Sequence, residues 1–125
     1  MMFRPRALAA ALSKVNTGGI QSVMLFNLEG VLMAFTSVSG EGERSKAAIA
    51  ASIWNIYQRH LQSTESDTVQ EILMDFSQGR LIITRIASVL LCIHASKDVG
   101  LGMLRAKANA LVQSLQEPLS ILAAS

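Results

Sequence analysis

Apolar and polar positions alternate along the chain in blocks that mark helices and strands in turn. Behind Pro5, a residue suited to a first helical turn, Leu8, Ala11, Leu12 and Val15 recur at helical spacing. Asn16-Thr17-Gly18-Gly19 is a stop signal for that helix. Ile20 to Phe26 is apolar and β-branched, Asn27-Leu28-Glu29-Gly30 has hairpin-turn chemistry, and Val31 to Phe35 returns. After a loop over 37–42, helix formers run from Glu43 to Leu61, and the polar stretch Gln62 to Asp67 closes them. Val69 to Phe76, Leu81 to Ile86 and Val89 to His94 then read as three strands joined by short turns. The last of these is almost wholly apolar, which suits a central strand buried on both faces. A final helix opens near Gly100, with Leu101, Leu104, Ala108, Leu111, Val112 and Leu115 as its inner stripe and Pro118 as its expected end. The predicted order is α-β-β-α-β-β-β-α. Short turns imply hairpins, so the fold class is α+β, with an antiparallel sheet carrying helices on its faces.

The second helix carries the main functional signal. Set out at about 100° per residue, Ile49, Ile53, Ile56 and His60 share one side, and Ala47, Ala50, Trp54, Tyr57 and Leu61 share the adjoining side. Ser52, Asn55 and Arg59 take what remains. The apolar arc spans roughly 220°, about twice the stripe that one core face needs. One sheet cannot bury both sides; the first helix or a loop could cover the other, but 125 residues leave little spare chain for that, so a second protein is expected to cover it. Trp and Tyr are common interface anchors, which assigns the partner to the Trp54/Tyr57 side. Val69 to Phe76, placed at a sheet edge, would add main-chain pairing to that contact. The expected partner-facing residues are Ala47, Ala50, Trp54, Tyr57, Leu61, Ile72 and Met74.

Composition narrows the alternatives. The chain has 125 residues, half of them apolar, which matches one ordinary domain with a real core over 1–125. Eleven basic residues against nine acidic ones, with no Lys/Arg cluster, do not make a nucleic-acid surface. Cys92 is the single cysteine, lies in an apolar run, and suits a reducing compartment. No apolar stretch has the length of a membrane helix, so any membrane association is expected to be peripheral, through a partner. The basic start with Arg4 and Arg6 is read as the entry to a first helix, with a cleaved targeting segment as the lesser alternative.

Catalytic patterns are weak. Gly100-Leu101-Gly102 follows a strand and opens a helix, yet Arg105 occupies the third glycine position of a dinucleotide fingerprint. Ser45-Lys46 lacks phosphate-loop spacing. Cys92 and His94 share a strand face without an acidic residue to orient them. Glu29, Glu41, Glu43, Glu65 and Asp67 fall in or beside loops and helix ends, too dispersed for metal ligation. The expectation is a non-enzymatic domain with no cofactor and no metal.

A family resemblance joins these readings. The residues that carry it include Asn16-Thr17-Gly18-Gly19, Ala47-Ala48-Ile49-Ala50, Ile53-Trp54, Tyr57, Ile72-Leu73-Met74-Asp75, Gly79-Arg80, Leu90-Leu91-Cys92, Gly100-Leu101-Gly102-Met103-Leu104 and Glu117-Pro118-Leu119. In these the chain resembles the roadblock / dynein light chain family, and within it the subunits of the Ragulator scaffold. The loops 38–44 and 62–68 match poorly. The resemblance implies a five-stranded antiparallel sheet with one helix on one face and two on the other. It implies a heterodimer with a second roadblock-fold subunit, the MEK-binding scaffold, through the middle helix and the following strand. It further implies other Ragulator subunits, including a lipidated anchor, and Rag GTPases as partners on late endosomes and lysosomes. The roles implied are amino-acid signalling to the TOR kinase complex and support of MEK–ERK signalling. Any nucleotide exchange would belong to the whole assembly. A dynein-associated or GTPase-regulating roadblock homodimer is the alternative within the family.

Overall fold

The computed structural model describes residues 5–14, 18–38 and 42–124, with the side chains of 5–8, 118 and 120–124 outside the description. The elements are α1 (Pro5–Ser13), β1 (Ile20–Asn27), β2 (Leu32–Ser37), α2 (Glu43–Thr64), β3 (Glu71–Phe76), β4 (Gly79–Ile86), β5 (Val89–Ala95) and α3 (Leu101–Ala124). Their order is the one the hydrophobic pattern predicts. Val15, the Asn16-Thr17 part of the first stop signal and the 39–41 part of the predicted loop lie outside the described residues.

The five strands form one antiparallel sheet in the order β2-β1-β5-β4-β3. β5 sits in the middle, and six of its seven residues are buried, as its unbroken apolar run requires. Alternate residues serve two cores. Val23, Leu25, Ile82, Leu91 and Ile93 face α1 and α3 and pack with Leu12, Leu104, Ala108, Leu111 and Leu115. Met24, Phe26, Ile83, Leu90 and Cys92 face α2 and pack with Ala47, Ala50, Ala51 and Trp54. A one-residue slip of any inner strand would exchange these sets, so two buried faces pin the register.

The β1–β2 turn is fixed by Asn27, whose Oδ1 accepts the backbone N–H groups of Glu29 (3.0 Å) and Val31 (2.9 Å). Gly30 follows at φ 88°, and a Cβ there would lie 3.0 Å from Ala48 Cα. The turn therefore needs glycine for its dihedral and for the close approach of α2.

Two helices outrun their expected ends, α2 by running past Leu61 to Thr64 and, more markedly, α3. α3 continues past Pro118 to Ala124 instead of ending there. A proline inside a helix removes one hydrogen bond and disfavours the turn before it. Leu119, the next residue, is nevertheless buried in the α1/α3 core. Burial of a leucine is worth on the order of 2 kcal/mol, comparable to the penalty, and tertiary packing carries the helix on.

Candidate protein interaction surface

Three side-chain bonds set how α2 lies on the sheet. Near its start, Ser37 Oγ donates to Glu43 Oε1 at 2.6 Å. In its middle, Asn55 Nδ2 donates to the Leu28 carbonyl at 2.7 Å. Further on, Gln58 Oε1 accepts the Val69 N–H at 2.9 Å. The first two tie the helix to the β1–β2 hairpin, and α2 rests chiefly on β1, β2 and β5. The β3–β4 half of the same face is only partly covered, and Ile72, Met74 and Leu81 there are half-buried.

This placement fixes the rotation of α2. Ala47, Ala50, Ala51 and Trp54 point into the sheet, and Trp54 is 1% exposed within its own chain. Ile49 is 60% exposed, Ile56 55% and Tyr57 55%, with Ile53 half-buried between them. The expectation of two apolar sides with one uncovered is met, but the sides are exchanged. Ala47, Ala50 and Trp54 belong to the intramolecular core, and the open side is the isoleucine stripe. Small residues explain the inversion: three alanines allow the helix backbone to sit close to the sheet, and the indole fills the space beside them. Of the remaining expected residues, Tyr57 is exposed, and Leu61, Ile72 and Met74 are half-buried. Ile49, Ile53 and Ile56 are the interface candidates that the Trp/Tyr criterion passed over. The signal for them was the alanine cluster opposite.

The open stripe adjoins β3. As the last strand of the sheet, β3 has a neighbour on one side only among the described residues, β4. Ile72 and Met74 pair across to Ile83 and Leu81 and lie on the α2 face. Glu71 and Asp75 alternate to the other face, where they pair with Arg105 and with Arg80 and Lys97. A groove lined by Ile53, Tyr57, Ile72 and Met74 separates helix from strand. It runs on toward an apolar cavity of about 350 Å³ walled by Met24, Ile49, Ile53, Phe76, Leu81 and Cys92, with Lys46 and His94 also on its lining. A helix flank, an edge strand and an apolar groove form one surface of the kind that a second folded chain covers.

Burial shifts two ionisable groups of the cavity, Cys92 and His94. Burial pushes the Cys92 thiol up to about 12, against a small downward pull from Lys46, so the thiol stays protonated at neutral pH. Burial also lowers the pKa of His94; the charge of Lys46 lowers it further, and a backbone bond to Gln78 opposes the shift. The imidazole stacks on Phe76 with ring centroids 5.5 Å apart. Among the described residues no acidic side chain lines this cavity, and no group of acidic, His and Cys residues could hold a metal. Gly100 and Gly102 open α3 beside a shallow depression that also includes Gly19, Ser96 and Asp98. No helix among the described residues is long and apolar enough to cross a membrane.

Comparison with known proteins agrees with this architecture. The Ragulator complex protein LAMTOR2 homolog of Caenorhabditis elegans is 31% identical over 121 residues, covering 94% of each chain. Among solved structures, Myxococcus xanthus MglB superposes with a TM-score of 0.86 at 15% identity, covering 98% of this chain and 96% of that one. A Roadblock/LC7 domain from Streptomyces avermitilis superposes with a TM-score of 0.80 at 14% identity, covering 89% and 96%. At those identities the two structures bear on the fold alone. The Roadblock/LC7 domain model matches residues 9–95, from within α1 to the end of β5, and with that span and the five-stranded sheet between its helices the chain belongs to the Roadblock/LC7 family.

Proposed function

We propose that this chain is a non-catalytic adaptor subunit of a Ragulator-type scaffold that pairs with a second roadblock-fold subunit along α2 and β3. The observation that carries the reading is the exposed Ile49/Ile56/Tyr57 stripe running alongside a free strand edge. Apolar side chains at that exposure, continuous with half-buried Ile72 and Met74, have no cover among the described residues. The similarity to the LAMTOR2 homolog supports the Ragulator assignment. In this reading β3 pairs with the equivalent strand of the partner, and the partner's middle helix fills the groove. The pair then takes its place among the other Ragulator subunits, including a lipidated one that holds the assembly on late endosomes and lysosomes. There the assembly recruits Rag GTPases for amino-acid signalling to the TOR kinase complex, with the MEK-binding scaffold as the paired subunit supporting MEK–ERK signalling. The chain itself contributes surface, not chemistry.

The test is co-purification of the full chain with a roadblock-fold partner. Ile53→Glu and Met74→Arg each place a charge in the groove, at a cost of several kcal/mol if it is buried unpaired. Both variants are expected to stay folded and to lose the partner. A complex of unchanged mass and affinity with both variants would overturn the reading.

A further inference from the structure

The partner-facing stripe of α2 has a charge pattern as well as an apolar one. At helical spacing, Lys46, Ile49, Ile53, Ile56, Tyr57 and His60 fall on one flank. The cation stands near the helix start and the histidine near its end, and the flank carries no acid. Arg44 and Arg59 lie round on the outer surface, and Glu43, the one acidic residue of α2, is buried against Ser37. Among the described residues Lys46 has a single ionic partner, Glu43 one turn back at 3.8 Å, and its side chain is 39% exposed. Beneath it, His94 Nε2 is buried without a hydrogen-bond partner. The lining of the 350 Å³ cavity thus includes one cation, Lys46, whose carboxylate partner Glu43 is not itself part of that lining.

We infer that the partner is a roadblock-fold chain whose middle helix presents a carboxylate to Lys46 over this cavity, and that this charge match selects such a partner over a second copy of this chain. The inference rests on the pairing surface proposed above. Two like helices packed about a two-fold axis contact reciprocally, so that residue i meets j and j meets i. Ile53 is the midpoint of the stripe, and a two-fold axis there sets Lys46 against His60 of the other copy. Self-pairing therefore brings the ammonium group to an imidazole, which offers it no negative charge. A partner with Asp or Glu at the facing position turns the same contact into an ion pair at a partly desolvated site.

The chain itself supplies the probe. His60→Glu places a carboxylate at the facing position, so that a pair of such copies contains two matched contacts with Lys46. Sedimentation equilibrium of the full-length chain at pH 8 and about 50 mM NaCl, where screening is weak, is expected to show self-association about tenfold tighter than wild type. The gain is expected to vanish in the double variant Lys46→Met/His60→Glu and to shrink at about 500 mM NaCl. Equal self-association of wild type and His60→Glu would overturn the inference. A gain that survives Lys46→Met would also overturn it, because the carboxylate would then be acting elsewhere. Adding Ile53→Glu to the His60→Glu chain separates the two levels. If the tightened pair survives that change, the pairing surface itself is wrong; if it dissociates while the Lys46 dependence fails, only the charge match is.

Discussion

Trp54→Ala tests the rotation of α2, on which the choice of interface residues depends. The indole is 1% exposed and packs with Met24, Phe26, Ile83, Leu90 and Cys92 beneath the helix. Truncating such a side chain leaves a cavity between helix and sheet and costs about 3–5 kcal/mol. A domain of this size has an unfolding entropy near 0.26 kcal/mol/K, so 4 kcal/mol lowers the melting temperature by about 15 °C. Ile56→Ala is the matched control, since 55% of that side chain already meets water in the lone chain. It is expected to melt within about 0.5 kcal/mol of wild type and to weaken the pair instead. Thermal melts followed by circular dichroism at concentrations where the chain is monomeric, set beside partner affinity, read out both. If Trp54→Ala melts with the wild type yet abolishes pairing, the indole faces the partner and the helix orientation described here is refuted.

Other expectations follow from single sites. The Cys92 thiol should resist a thiol reagent in the folded chain up to about pH 9 and react on denaturation, because burial holds its pKa near 12. The raised value contributes stability that is complete below the unfolded thiol's value of 9.0 and is lost as pH climbs toward 12, which urea titrations from pH 8 upward can follow. His94 has the opposite sign: its folded pKa is lowered, so its contribution is present above 6.5 and declines on acidification. A flatter acid limb of the urea midpoint in His94→Phe would bear this out. Gly30→Ala forces a Cβ against the backbone of Ala48 at a positive φ and should destabilise by at least 1 kcal/mol; a melt equal to wild type would contradict the turn geometry.

The sequence pattern was legible wherever one period dominated. The element order, the hairpins around Asn27 and Gln78 and the central place of β5 all follow from alternation, turn residues and one unbroken apolar run. Which side of α2 stays exposed was not legible, because a helix apolar over more than half its circumference has no single inner face. Residue type misled there, since Trp54 is as good a core filler as an interface anchor. What decided the rotation was long-range: the bond of Asn55 to the Leu28 carbonyl, between residues 27 apart in sequence. Pro118 misled for a related reason, because local chemistry predicts a stop and Leu119, docked on a distant core, overrides it.

The seating of α2 toward one end of the sheet has a consequence for the orphaned subunit. If the chain pairs as proposed, a copy made without its mate shows water a greasy flank and an unzipped strand at the same place, the features that quality-control machinery binds and that drive clumping. Matching synthesis to that of the mate, or rapid removal of the surplus, is then part of keeping such a protein in solution.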